Sequence, residues 1–312
     1  MIANIPTNVL AMMAGLYGLL IFASAVTFIL RRSNPKKDYT ELSQCINSWW
    51  VMVTMFTAAI VLSKNVSLVF FAFISFLALK EYFSIIPTRR ADRRVLFWAY
   101  LAIPLQYYFV WLEWYGMFII FIPVYMFLFL PMRMIMIGET KAFLRAVGTL
   151  HWGLMTMVFS ISHVAFLLIL PASGNPVAGG AGLVLYLVFL TQFNDVAQYL
   201  WGKMLGKHKV IPKVSPNKTW EGFIGGVSTT TGLAVLLAPI LTPFSWQVAV
   251  LAGMLIGLAG FIGDVTISAL KRDIGVKDSG SMLPGHGGIL DRIDSLTYTA
   301  PLFFHFVFFL YY

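Results

Sequence analysis

Cysteine is all but missing from this chain: Cys45 stands alone, which excludes an intramolecular disulfide and any metal site built on cysteine thiolates. Charge is scarce too. Of 312 residues only 11% are Asp, Glu, Lys or Arg, against 59% hydrophobic, and that balance excludes an ordinary soluble domain. Acidic residues are the rarer sign, 13 against 22 basic. Heptads, internal repeats and low-complexity tails do not occur, so neither a coiled coil nor a repeat array is indicated. Neither G-x-x-x-x-G-K-[ST] nor G-x-G-x-x-G is found, which removes the P-loop and the dinucleotide fingerprint.

What the chain has in abundance is long apolar runs. Ten are long enough for a hydrocarbon core about 30 Å thick: 9–30, 46–63, 66–86, 95–112, 115–137, 150–171, 180–201, 222–241, 246–267 and 296–312. Lipid leaves unpaired backbone groups unsatisfied, so helices are the expected spanning element. The expected fold is all-α, a polytopic bundle of about ten transmembrane helices. Ser63-Lys64-Asn65 is the thinnest separator between two of them. Val9–Leu30 imitates a signal peptide, with Ala23-Ser24-Ala25 as a mock cleavage site. No Lys or Arg precedes it and its length exceeds an ordinary signal core, so a retained first helix is expected. Residues 1–149 read as N-terminal packing and lipid-facing helices. Residues 150–312 read as the catalytic transmembrane region, with loops 202–221 and 268–295.

Basic residues orient the bundle. Loops 31–45, 87–94, 138–149, 202–221 and 268–295, with the bordering Lys80 and Arg133, hold 21 of the 22 Lys and Arg, leaving Lys64 on the other side. The positive-inside rule therefore places these loops in the cytoplasm and both termini outside. Arg89, Arg90, Arg93 and Arg94 read as topology anchors. Lys80 and Glu81 read as a local interfacial pair, and Glu113 and Glu139 as solvated.

One stretch departs from the apolar background. Gly263 to Ser295 holds five of the acidic residues, four Lys or Arg, one His and six Gly. Asp264, Ser268 and Lys271 fall at i, i+4 and i+7, one face of a helix, flanked by Arg272. Asp264 lies within apolar sequence with no basic residue nearer than Lys271, and an unpaired charge there costs about 3 kcal/mol. A metal or a basic partner would relieve it. Carboxylates, lysines and backbone-exposing glycines together suit a divalent metal carrying phosphate. A second polar stretch starts at Thr191. Asn194, Asp195, Gln198 and Tyr199 form a polar stripe inside a span, running toward Gly202. Lys203, Lys207, His208, Lys209, Lys213 and Lys218 follow, and with Ser215 and Thr219 they suit a polyphosphate.

The run Ser268-x-x-Lys271-Arg272-x4-Lys277-Asp278-x-Gly280-x3-Pro284-Gly285-His286-Gly287-Gly288-x2-Asp291-Arg292-x-Asp294 resembles the signature of the phosphatidate cytidylyltransferases, the CDP-diacylglycerol synthases. Ser215-Pro216-x-Lys218-Thr219-x-Glu221-Gly222 and Asn194-Asp195-x3-Tyr199-x2-Gly202 resemble two further family blocks. The resemblance covers roughly 180–312; the first half is similar only in being membrane helices.

The resemblance implies transfer of the cytidylyl group of CTP to phosphatidic acid, giving CDP-diacylglycerol and pyrophosphate. It implies Mg²⁺ on Asp264 and Asp291, with a monovalent cation such as K⁺ as a candidate beside it. Lys271, Arg272, Arg292 and His286 join these aspartates as the expected catalytic set. Ser215, Lys218, Thr219, Asp195, Lys277 and Asp278 are the expected nucleotide-binding set. CTP, phosphatidic acid and membrane lipids are the implied partners, with no nucleic acid, and a homodimer is a candidate assembly. The implied location is a bacterial inner membrane, with the site on the cytoplasmic face. Two positions depart from the family pattern: Asn217 stands where a second lysine is common, and Gln198 where a small residue is common.

The residues agree with that chemistry when read by themselves. A phosphomonoester with second pKa about 6 is already largely dianionic at neutral pH, so the nucleophile needs little deprotonation. His286 therefore reads as a phosphate or second-layer hydrogen-bonding group rather than a base. Gly287 and Gly288 let backbone amides approach phosphate closely. Competing readings are a CTP-dependent lipid kinase of the polyisoprenol type, which would release CDP, and a membrane transporter using Asp195 and Asp264. A CDP-alcohol phosphotransferase would need a D-G-x2-A-R block, which is missing.

Overall fold

A computed structural model describes residues 5–34, 38–89, 93–280 and 287–312. The chain is a polytopic helical membrane protein. Nine helices among the described residues are long and apolar enough to cross a membrane. They begin with α1 (Thr7–Ser33), α2 (Thr40–Leu62) and α3 (Lys64–Ile85). Ser63 alone divides the last two, and its side chain caps α3 by accepting from the Val66 amide. The expected span 95–112 forms α4 (Arg93–Trp111) but lies outside that set of nine. Pro104, Gln106, three tyrosines and the paired arginines at its start dilute its hydropathy, although Ala99, Ala102 and Val110 are fully buried.

The next two spans each contain a π-helical turn. α5 (Tyr115–Ile120) and α6 (Phe127–Ile135) are joined by the π segment Phe121–Met126, which carries Pro123. α7 (Phe143–Gly153) and α8 (Ser160–Ile169) are joined by Leu154–Phe159. In the turn before α5, Glu113 is solvent-exposed as expected and pairs there with the equally exposed Lys64 at the start of α3.

Four helices frame the site: α9 (Gly179–Leu205), α10 (Trp220–Leu241), α11 (Trp246–Asp273) and α13 (Leu296–Tyr311), the last preceded by the short α12 (Leu290–Ile293). α9 packs on α10, α10 on α11 and α11 on α13. Small residues allow the approach, as usual where lipid supplies no hydrophobic drive between helices. A Cβ at Gly263 of α11 would lie 2.6 Å from the Asp294 carbonyl. Asn194 ties three of these helices together: it donates to the Gly257 carbonyl (3.3 Å) and accepts from Thr230 (3.1 Å). Between α9 and α10 the chain is not a plain loop. It forms an antiparallel hairpin of β1 (Lys209–Ile211) and β2 (Ser215–Thr219), a small exception to the all-helical expectation.

One hydrophobic core runs through both halves of the chain, from Leu79 and Tyr82 of α3 to Phe303 and Phe304 of α13. By contrast α1 and α2 are largely unburied and present Leu19, Phe22 and Val51 outward, as lipid-facing helices should.

Candidate active site

The polar residues gather where α9, α11, α12 and β2 meet. Asp264 is the hub. One carboxylate oxygen accepts from Ser268 one turn later (3.3 Å), as the spacing requires, and the other closes an ion pair with Lys218 of β2. The Lys218 ammonium also donates to Gln198 (3.2 Å) and lies 5.6 Å from the Phe261 ring centroid. Burial by itself would push the Lys218 pKa down. Asp264 and Asp195 outweigh burial and hold it above the ordinary lysine value, so the side chain stays charged.

Two more carboxylates stand close enough to repel Asp264 and each other: Asp195 from α9 and Asp294 from the turn between α12 and α13. Both oxygens of Asp195 accept from the Ser295 hydroxyl (3.0 and 2.9 Å), and Asp294 accepts from the Ser295 amide (2.8 Å). Neither has an ion-pair partner among the described residues. Arg292 contributes positive charge toward both, its backbone carbonyl accepts from Gln192 (3.2 Å), and its Nε is buried without a partner among the described residues.

A second pair lies beside this hub. Lys271 donates to Asp291 (2.7 Å), and the other Asp291 oxygen accepts from the amides of Ser279 and Gly288 (3.1 Å each). Gly287 has a positive φ of 81°, and a Cβ there would lie 2.7 Å from Asp291. The three-aspartate cluster and the Lys271–Asp291 pair thus come from sequence blocks nearly a hundred positions apart, Asp195 to Asp294.

The remaining sequence-derived candidates divide. Arg272 reaches the hairpin and donates to the Val214 carbonyl (3.3 Å). Ser215 opens β2 opposite Ile211. Thr219 caps α10, its hydroxyl accepting from the Gly222 amide (3.1 Å). Lys277 and Asp278 are exposed. His286, with Pro284 and Gly285, falls outside the described residues. Among the described residues no three His, Cys, Asp or Glu side chains are arranged to hold a metal ion. Asp264 and Asp291, expected as metal ligands, each face an ammonium group. Tyr199 does not join the polar stripe. It is exposed, with Lys203 5.9 Å from its ring centroid.

Glu81 is the residue that sequence reasoning misplaced. It does not pair with Lys80, which is exposed. It turns inward from α3, and its carboxylate accepts from the Ser279 hydroxyl and from the amides of Ile289 (2.9 Å) and Leu290 (3.1 Å). Its only sequence signal is a carboxylate set inside the last turn of an apolar span.

A family model described as "Cytidylyltransferase family" matches residues 43–310. The chain is 47% identical over 295 residues to the uncharacterized protein YnbB of Escherichia coli (strain K12), spanning 95% of this chain and 97% of that one. It is 47% identical over 127 residues to a phosphatidate cytidylyltransferase of Staphylococcus aureus (strain COL), covering 39% of this chain and 48% of that one. With the phosphatidate cytidylyltransferase of Haemophilus influenzae the identity is 45% over 139 residues, 42% of this chain and 47% of the relative. These matches span about half the length of the two phosphatidate enzymes.

Proposed function

The chain belongs to the cytidylyltransferase family, and from that premise we propose that it transfers the cytidylyl group of CTP to phosphatidic acid. A phosphatidate oxygen forms a bond to the α-phosphorus of CTP. The bond from that phosphorus to the bridging oxygen breaks, and pyrophosphate leaves with the electron pair. The observation that carries the reading is the convergence of Asp195, Lys218, Asp264 and Asp294 from three separate sequence blocks into one cluster, with Lys271 and Asp291 beside it.

The donor set fits Mg²⁺. It consists of oxygen ligands only, and the carboxyl groups of Asp195 and Asp294 stand beside Asp264 and Lys218. Mg²⁺ is held by one or two carboxylates together with waters and substrate phosphates, so a three-ligand protein cage is not needed. Asp264 and Asp291 would hold the ion, and once bound it would neutralise charge on the phosphoryl oxygens.

The chain's own residues then bring two polyanions together. Lys218 and Lys271, each paired with a carboxylate in this structure, would be the ammonium donors to the phosphate oxygens. Arg292, whose Nε has no partner among the described residues, supplies a further donor, and Arg272 at the hairpin borders the same region. No residue has to remove a proton from the phosphate nucleophile. The proposed setting is the inner membrane with the site on its cytoplasmic face, an orientation that the basic loops support.

The deciding experiment incubates purified protein with labelled CTP, Mg²⁺ and phosphatidic acid and identifies both products. CDP-diacylglycerol with pyrophosphate is the expected outcome. A phosphorylated lipid with CDP would replace this reading by a CTP-dependent lipid kinase.

A further inference from the structure

Glu81 lies outside every block that resembles the family, and the reaction described above gives it no part. Yet it is buried, and a buried carboxylate is costly unless its oxygens are hydrogen-bonded. No lysine or arginine among the described residues lies within ion-pair distance of it. Its partners are the Ser279 hydroxyl and the backbone amides of Ile289 and Leu290. Gly288 sits so close that a Cβ there would run into the Glu81 carboxylate, and one at Gly280 would lie 3.3 Å from it.

These contacts coincide with those that orient Asp291. The second Asp291 oxygen is held by the amides of Ser279 and Gly288. The same two residues touch Glu81, Ser279 through its hydroxyl and Gly288 through its unsubstituted Cα. Ser279 and Gly288 thus hold Asp291 through their amides while Glu81 of α3 contacts both. A leucine of similar volume would fill the space at lower desolvation cost, but it could not accept three hydrogen bonds at once. Glutamine could not either, because its amide nitrogen would face a donor.

We infer that Glu81 is a positioning residue: from α3 it clamps the backbone around Ser279 and Gly288–Leu290 and so sets the Asp291 carboxylate and its Lys271 partner for the substrate phosphates. The effect on rate rests on the proposed cytidylyl transfer; the clamp itself does not. The inference also gives the first half of the chain a place in the site.

The test uses the full chain with Glu81→Gln, Glu81→Ala, Gly288→Ala, the Glu81→Ala/Gly288→Ala double variant, and Lys80→Gln as a neighbouring control. Two readouts are taken: kcat and KM for CTP and phosphatidic acid, and amide hydrogen exchange without substrate. Glu81→Gln should lower kcat about tenfold, the factor carried by one hydrogen bond to a charged acceptor, while Lys80→Gln keeps the parent rate. Exchange at residues 287–294 should quicken in both Glu81 variants, with α8 and α13 still protected. Gly288→Ala should harm the parent protein more than it harms Glu81→Ala, because removing the carboxylate makes room for the methyl group. Parent-like kcat and exchange in Glu81→Gln would overturn the inference. So would additive effects in the double variant, or a loss of protection spread over α8 and α13, which would make Glu81 a packing residue. If the parent protein makes no CDP-diacylglycerol, the reaction is refuted, while the exchange comparison still decides the clamp.

Discussion

Lys218 and Asp264 form an ion pair that joins β2 to α11, and it gives a carboxylate set within an apolar run its counter-charge. Their side chains are 19% and 21% exposed, so solvent screens the pair only in part. Removing one partner leaves the other charge uncompensated. Lys218→Met is therefore expected to cost about 2 kcal/mol of stability, below the 3–5 of a fully buried pair. Lys218→Met/Asp264→Asn should recover most of that loss in thermal unfolding and remain inactive. A double variant no more stable than Lys218→Met would show that the pair is not coupled.

Asp264→Asn and Asp291→Asn should each abolish turnover in folded, membrane-inserted protein, because a neutral amide is a much poorer Mg²⁺ ligand than a carboxylate. The measurement is the rate against Mg²⁺ concentration. Near-normal activity with unchanged Mg²⁺ dependence would remove that aspartate from the metal site.

The hairpin turn and the loop after α11 should lie on the cytoplasmic side. Lys213 and Lys277 are exposed, so cysteine at either position in a Cys45→Ser background should react freely in detergent. In intact cells both should resist an impermeant thiol reagent. Labelling from outside would invert the layout.

His286→Gln should keep far more activity than Lys271→Gln or Arg292→Gln, each of which removes a positive charge facing developing negative charge. Loss of one such contact costs about 3 kcal/mol, roughly a hundredfold. A histidine base would impose an acid limb near its ordinary pKa of about 6.5, with rate lost as pH falls and the imidazole takes a proton. That limb should persist in His286→Gln, since it then belongs to the substrate phosphate. A variant that loses both the limb and a hundredfold in rate would establish His286 as the base.

Gln198 and Thr219 show how far local reading reaches. Both are recognisable in sequence as polar groups near the site. Their partners are not: Gln198 accepts from Lys218, and Thr219 is committed to capping α10. Tyr199 misleads for the opposite reason, since its polar hydroxyl suggests the stripe while its ring faces outward beside Lys203. Residues 209–219 offer no alternating apolar pattern, which is why the hairpin there escapes a hydropathy reading.

The sequence by itself determined the membrane class, most of the span boundaries and the blocks that hold the polar residues. Those are local properties: a charge inside a long apolar run stands out whatever the run packs against. Only the tertiary structure decided which charges meet. Asp264 finds Lys218 rather than Lys271, and Lys271 goes to Asp291, because the packing of α9, α10 and α11 brings β2 up to the end of α11. Glu81 turns from Lys80 to the backbone before α12 because in that buried place unpaired amides bind a carboxylate that an exposed ammonium would leave half solvated.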